Sequence, residues 1–314
     1  MIVVQDEAYH ICDSLDPLWR ESHYFNFYDP RHRLGGITTI GRKPNQGHSE
    51  AVLVLYLPDG SLLVHKKEGP VTDTSAVGAL RYEMTEPLVG WRLMFEGTCL
   101  RVTEPRQLSS RWAQLRALFR RQRVRLDLRW QGLNPVFDYG DYAVLPADNR
   151  VAARHYEQAG AYTGFVELDG ERLAIEALGQ RDHSWGIRDW HAPDEWRWIV
   201  AQFEADFAVH GSRLVLGETQ GELGFVWRDG ANHVVRRLEL DTEYEPDGVT
   251  QRRVVIRLHE DDGRVTKVTA ETITPAAIAF RDKAGLTIIT EALSRFTCGD
   301  RVGYGITEYL RQVR

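Results

Sequence analysis

The sequence has few cysteines and no long apolar run. Cys12, Cys99 and Cys298 are far apart and odd in number, which is typical of reduced thiols in a cytoplasmic protein and not of a disulfide framework or a zinc site. No segment reaches the roughly 18 apolar residues that a membrane-spanning helix needs. Residues 1–7 lack a basic region followed by an apolar one, so no secretory signal is expected. We expect a cytoplasmic protein without a membrane span.

The sequence also lacks an excess of positive charge and recognisable cofactor-binding motifs. The chain has 39 Lys and Arg against 45 Asp and Glu, a formal net charge of −6, and no basic stripe with interleaved aromatics, which argues against a nucleic-acid partner. His183 has no second histidine at metal-ligand spacing, and no phosphate-binding glycine pattern occurs. Ser184 does not fit the Gly-x-Ser-x-Gly motif of serine hydrolases, because Asp182 occupies the position of the first glycine. A serine hydrolase is therefore not expected. Neither a metal nor an organic cofactor is expected.

Aromatic side chains are plentiful, with 9 Trp, 12 Tyr and 11 Phe. They supply a core and could also line an apolar cavity. Short β-branched and apolar runs follow one another closely, separated by Asp-Gly pairs at 169–170, 229–230 and 262–263. This pattern predicts antiparallel strands of a sandwich or barrel. Two short helices are also predicted, one over 112–119 and one over 148–158.

An internal repeat predicts two tandem domains. Trp19-Arg20 followed by Asp29 matches Trp196-Arg197 followed by Asp206 at equal spacing. Two shorter matches follow in the same order in both halves, as a duplicated β-domain would show. We therefore predict an all-β protein with few short helices and with domains at 1–150 and 151–314.

Residues 181–190, Arg-Asp-His-Ser-Trp-Gly-Ile-Arg-Asp-Trp, combine two Arg, two Asp, one His, one Ser and two Trp. An unpaired buried charge costs several kcal/mol. The segment is therefore either a structural cluster of ion pairs or an active site whose charges face a pocket. If it is extended, Arg181, His183 and Trp185 share one face, and Asp182 lies on the other. A histidine beside carboxylates can act as an acid or a base near neutral pH.

Two further segments carry candidate site residues. In His155-Tyr156-Glu157-Gln158, Glu157 could reach the same site and Tyr156 could line it; alternatively, the segment is a helix end capped at Gly160. On a closing strand, Tyr304 and Glu308 would share one face; alternatively, Glu308 points outward from an edge strand.

These motifs resemble the carotenoid 1,2-hydratase-like, AttH-like family of two-domain lipocalin-type proteins. The resemblance rests on the Arg-Asp-His-Ser-Trp-Gly signature at 181–186, on residues 155–158, on Gly305-x-x-Glu308-Tyr309-Leu310, and on Trp19 with residues 24–29. It implies two lipocalin-like (calycin-type) antiparallel β-barrels or half-barrels, the second carrying the signature. It also implies hydration or cyclisation of lipophilic substrates with C=C bonds, without a metal or organic cofactor.

Two functions fit these observations. The first is a cofactor-independent acid/base lyase, hydratase or cyclase acting on a lipophilic small molecule, such as a terpenoid, steroid or phenylpropanoid, in a pocket near the domain interface. Asp182 and His183 are its predicted acid/base pair. The other catalytic candidates are Glu157, Arg188 and Asp189, and the substrate-binding candidates are Tyr24, Tyr156, Arg181, Trp185, Trp190, Tyr304 and Glu308. The second function is a non-catalytic carrier of a hydrophobic ligand. A monomer and a homodimer are both compatible with the sequence.

Overall fold

The structure, a computed structural model, describes residues 1–105, 120–142, 150–151, 154–281 and 285–313. These residues form mainly β-strands. The strands in chain order are β1 (Trp19–Asp29), β2 (Leu34–Lys43), β3 (His48–Tyr56), β4 (Leu62–Pro70), β5 (Ala76–Val77), β6 (Leu80–Glu86), β7 (Gly90–Val102), β8 (Arg120–Gly132), β9 (Phe137–Asp138), β10 (Arg154–Leu168), β11 (Glu171–Ile187), β12 (Glu195–Glu204), β13 (Phe207–Leu216), β14 (Thr219–Arg228), β15 (Ala231–Tyr244), β16 (Gln251–Glu260), β17 (Val265–Arg281), β18 (Leu286–Cys298) and β19 (Arg301–Val313). Short 3-10 turns lie at Val4–Glu7, Pro44–Gln46 and Tyr139–Asp141.

The chain forms two units. Among the described residues, the first unit contains strands β1–β11 and ends at Arg188, and the second contains β12–β19. This division differs from the predicted boundary at 150/151. Strands β10 and β11 lie in the first unit because they pair with β8 and β1 and so complete its sheet.

In the first unit the antiparallel strands follow the order β4-β3-β2-β1-β11-β10-β8-β7-β6-β5. β4 also pairs with β7, through Leu62–Val64. Eight strands (β1–β4, β7, β8, β10 and β11) therefore form a closed ring of hydrogen-bonded neighbours. Their alternate side chains pack into one apolar core that includes Phe25, Leu53, Trp91 and Trp130.

The second unit is a closed barrel of eight strands, β12 to β19, in which β12 pairs with β19. Its core includes Ile199, Val226, Leu258 and Phe296. The prediction of an all-β protein with barrel domains is confirmed. Trp19 begins β1 and Trp196 is the second residue of β12, so the first repeat match falls on the first strand of each unit.

Two of the predicted Asp-Gly turns join neighbouring strands. Asp169-Gly170 connects β10 to β11, and Asp229-Gly230 connects β14 to β15. All four residues have positive φ, from 50° to 93°. That geometry matches the right-handed twist of the flanking strands and suits an Asp-Gly pair.

The predicted helix over 148–158 is wrong over its second half. Residues 154–158 belong to β10, where pairing with β11 and β9 overrides the weak helical pattern; 148–149 and 152–153 lie outside the described residues. The helix predicted over 112–119 also lies outside them. The three cysteines are free, as expected. In the described part of the chain, we find no helix that is both long and apolar enough to cross a membrane.

Candidate functional site

The signature is divided between the two faces of β11. Its residues 181–187 lie on this strand, between β1 and β10. Arg181 and His183 face the core side, where each contacts Tyr156 of β10. Asp182 faces the opposite side, opposite Glu157 in the antiparallel register. The predicted alternation is therefore confirmed, and it creates two separate polar clusters.

The first cluster lies on the core face. Its members come from the N-terminal segment, β1, β10 and β11, and we call it the core-face cluster: Glu7, His10, Glu21, Tyr156, Arg181 and His183.

Arg181 forms a completely buried ion pair with Glu7. Its Nη1 donates to Glu7 Oε1 over 2.6 Å and its Nη2 to Glu7 Oε2 over 3.0 Å. Nε and Nη2 also donate to Gln158 Oε1, and the guanidinium lies 4.8 Å from the Trp130 ring centroid. Although burial opposes ionisation, the charge of Arg181 lowers the pKa of Glu7 below its usual value. Both groups are therefore charged at neutral pH.

His183 is completely buried between a phenol and a carboxylate. Its Nδ1 lies 3.1 Å from Tyr156 Oη and its Nε2 lies 3.0 Å from Glu21 Oε1. Burial lowers the pKa of His183 well below the usual histidine value, so its ring is neutral. His23 stacks on it with a ring-centroid distance of 3.9 Å, and neither ring nitrogen of His23 has a hydrogen-bond partner.

His10 completes the core-face cluster from the N-terminal segment. Its Nδ1 lies 2.7 Å from Glu21 Oε1 and its Nε2 lies 3.4 Å from Asp6 Oδ1. Although burial opposes the charge, the hydrogen bond with Glu21 raises the pKa of His10 above its usual value. The ring stacks on Trp185 with a centroid distance of 4.0 Å. The His10 side chain is 23% exposed, whereas Glu21 and His183 are completely buried, so His10 is the most exposed of these three side chains.

The second cluster lies on the other side of the sheet, and we call His155, Glu157 and Asp182 the outer-face cluster. His155 and Glu157 are two residues apart on β10, so they share a face. His155 Nε2 lies 3.0 Å from Glu157 Oε1 and 3.8 Å from Asp182 Oδ1. Gln180 Nε2 donates to Glu157 Oε2 over 2.6 Å. Tyr139 stacks on the His155 ring.

The members of the outer-face cluster differ in burial and charge. Burial lowers the pKa of His155 to about 4, so this imidazole is neutral at neutral pH. Glu157 is completely buried, whereas the Asp182 side chain keeps 16% of its surface exposed. At the end of the strand, Arg188 Nη2 donates to Ser184 Oγ over 2.7 Å. Of the three groups, Asp182 offers the largest exposed fraction to another molecule.

A sequence profile described as a domain of unknown function, DUF7064, matches residues 4–313. The chain belongs to the DUF7064 family. Searching the curated proteins finds no match for it.

Several solved structures have a fold similar to that of this DUF7064 protein. It is similar to a provisionally assigned AttH protein of Nitrosomonas europaea, with a TM-score of 0.66, 16% identity, and coverage of 99% of this chain and 96% of that one. It is similar to CghA with Sch210972, with a TM-score of 0.60, 15% identity, and coverage of 94% and 89%. It is also similar to kievitone hydratase from Nectria haematococca, with a TM-score of 0.58, 10% identity, and coverage of 99% and 93%. At these identities the likeness shows a shared fold.

The structure distributes the predicted site residues of this DUF7064 protein over four places. Tyr156, Arg181, His183 and Trp185 lie on the core face of the first unit. Glu157 and Asp182 lie on the outer face, where Tyr24 is opposite Asp182 in the register. Arg188 lies at the end of the same unit. The remaining four belong to the second unit: Asp189, Trp190, Tyr304 and Glu308.

The predicted acid/base pair is therefore not in contact through its side chains. Asp182 and His183 point to opposite faces of β11, and the carboxylate beside His183 is Glu21. Asp182 lies beside His155 instead. In the second unit, Asp189 Oδ1 accepts from the backbone N–H of His191 over 3.0 Å.

The last two predicted residues share a strand. Tyr304 and Glu308 are half-buried on β19. Trp190 contributes its carbonyl oxygen, which accepts from Thr287 and Gln312.

The sequence interpretation missed Glu7, His10, Glu21 and His155 as site residues. One signal for Glu21 was available. Every second residue of β1 from Trp19 reads Trp, Glu, His, Phe, Phe, so an acid and a histidine share the aromatic, core-facing side of the strand.

Proposed function

We propose that this protein is a cofactor-independent hydratase, lyase or cyclase that performs acid/base chemistry on a lipophilic small molecule at the outer-face cluster. The observation that carries the proposal is the contact of a neutral, buried His155 with two carboxylates. Asp182, the more exposed of the two, is the group we assign to proton transfer with the substrate. Kievitone hydratase, a relative in fold, is by name a hydratase, which agrees with this reaction class.

The chemistry follows from the position of Asp182. Burial keeps the ring of His155 neutral, and this ring lies 3.8 Å from Asp182 Oδ1, so it adjoins the carboxylate without adding a positive charge. A partly exposed carboxylate in such a position can act as a general base and then as a general acid. In the lyase direction, Asp182 takes a proton from the carbon next to the one that bears a leaving hydroxyl, the C–H electron pair forms the C=C bond, and Asp182 returns the proton to the leaving oxygen, which departs as water; hydration is the same sequence in reverse.

The test is a conversion assay with Asp182→Asn. Purified protein is incubated with terpenoids, steroids and phenylpropanoids that contain C=C bonds, and mass spectrometry with chromatography detects hydrated or isomeric products. We expect Asp182→Asn to lower the rate by about 10²–10⁴-fold, the usual contribution of a positioned acid or base. Asp206→Asn, at an exposed turn between β12 and β13, is the matched control and should keep the wild-type rate.

Two results would overturn the proposal. One is the absence of conversion by the wild type across the whole panel. The other is an Asp182→Asn variant as fast as the wild type. Thermal unfolding of each variant, followed in parallel, separates a catalytic loss from a folding defect.

The carrier function is favoured by a different observation. The Arg181–Glu7 ion pair is completely buried and hydrogen-bonded within the protein, so these two charges neutralise each other inside the first unit and do not act on a ligand. If native mass spectrometry shows that wild type and Asp182→Asn bind the same panel ligand equally and release it unchanged, the protein is a carrier.

A further inference from the structure

Three ligand-type atoms converge at Glu21 in the core-face cluster. His10 Nδ1 lies 2.7 Å and His183 Nε2 lies 3.0 Å from Glu21 Oε1, and all three ligand atoms lie within 4.8 Å of one another. In a tetrahedral zinc site with bonds of about 2.0–2.1 Å, ligand atoms are about 3.3 Å apart. The two spacings at Glu21 are shorter than this by about 0.3 and 0.6 Å, so small outward movements of the side chains would place two imidazoles and one carboxylate around a single ion.

Short contacts fix the orientation of the His183 ring. Tyr156 Oη lies 3.1 Å from His183 Nδ1, and Glu7 Oε2 accepts from Tyr156 Oη over 2.9 Å. With Nδ1 held on this side, Nε2 is directed at Glu21 Oε1.

The surroundings also suit a dication. The outer nitrogens of the two imidazoles face Asp6 and Tyr156, the arrangement that orients metal-bound histidines. The nearby carboxylates of Asp6, Glu7 and Glu21 outnumber the guanidinium groups of Arg42 and Arg181 by one. The partly exposed side chain of His10 gives an ion a path to the site.

We propose that His10, Glu21 and His183 bind one divalent transition-metal ion, of the zinc class, on the core face of the first unit. Two histidines and one carboxylate are a ligand set that Zn²⁺ and Co²⁺ accept, with a fourth position left for water. The ion ties the N-terminal segment to β1 and β11. This site is separate from the outer-face cluster, so its existence does not depend on the proposed acid/base function.

The experiment is a metal titration of the full chain. Protein treated with a chelator and dialysed is titrated with CoCl₂, and the visible d–d absorption reports the coordination of the ion; ZnCl₂ then displaces Co²⁺ and gives the zinc affinity. We expect one ion per chain with the intense bands of low-coordinate Co²⁺. His10→Asn, at a partly exposed position, should fold and bind zinc at least about 100-fold more weakly.

Matched controls distinguish this site from the surface. His48 lies with Glu50 and Glu68 in another group of metal-type side chains, and His48→Asn should leave the affinity and the Co²⁺ spectrum unchanged. The proposal is overturned if the wild type binds neither ion stoichiometrically. It is equally overturned if His48→Asn loses the ion or if His10→Asn keeps the wild-type affinity.

Discussion

Removing the charge partner of Arg181 is expected to destabilise the first unit strongly. In Glu7→Gln the completely buried guanidinium keeps its contacts with Gln158 and loses its carboxylate. Breaking a buried ion pair from one side costs about 3–5 kcal/mol, because the remaining charge stays out of water. Glu7 also accepts from Trp91 Nε1 over 2.7 Å and from Tyr156 Oη over 2.9 Å, so the substitution disturbs these bonds too.

The measurement is the thermal unfolding of the first unit, followed by calorimetry and tryptophan fluorescence. A change of 1 kcal/mol shifts the midpoint by about 2–4 °C in a unit of this size, so Glu7→Gln should unfold about 6–20 °C below the wild type. Arg181→Met should be similarly unstable. The double variant should lose less than the sum of the two, because it leaves no unpaired charge. A shift under about 3 °C for Glu7→Gln, or strictly additive losses, would refute the reasoning.

The same pair predicts a pH dependence. Because the pKa of Glu7 is lower in the folded state than its usual value of 4.5, the unfolded chain binds a proton first as the solution becomes acidic. The stabilisation from ionised Glu7 is therefore present above pH 4.5 and lost as the pH falls through the folded pKa. The stability of Glu7→Gln should fall less steeply than that of the wild type below pH 4.5.

Two further predictions concern β2–β4 and β11. Against the opposing effect of burial, Arg20 and Lys43 lower the pKa of Glu50 from 4.5 to about 2, which corresponds to about 3 kcal/mol of stability that disappears as the pH falls from 4.5 to 2. Glu50→Gln should therefore lower the free energy of unfolding near pH 7 by that amount. In urea unfolding repeated at a series of pH values, the stability of the variant should fall less steeply between pH 4.5 and 2 than that of the wild type; an equally steep fall would contradict this. A Cβ at Gly179 would lie 1.9 Å from a backbone oxygen of β1, whereas one at Gly69 meets only a side-chain methyl at 3.4 Å. Gly179→Ala should therefore cost at least about 1–3 kcal/mol and Gly69→Ala much less in the same assay; equal losses would contradict the close approach of β1 and β11.

The fold was predictable because its signals are local. Asp169-Gly170 and Asp229-Gly230 each favour a tight turn without help from distant residues. The alternation of side chains along a strand likewise identified the two faces of residues 181–185 without knowledge of the neighbouring strands. The 148–158 segment failed for the opposite reason. Its conformation is decided by hydrogen bonds to β11, about 25 residues away in the sequence, and a weak helical pattern cannot compete with a full strand ladder.

The site was less predictable than the fold because its charges find partners far along the chain. Arg181 and Asp182 are adjacent, which suggests that they pair, but adjacent residues of a strand point to opposite faces. The actual partner of Arg181 is Glu7, 174 positions away, and Glu21 lies 162 positions from His183. Short-range spacing rules find metal ligands only when one segment supplies several of them. A His10–Glu21–His183 site takes one ligand from each of three segments, so its signature exists only once β1 has been placed beside β11.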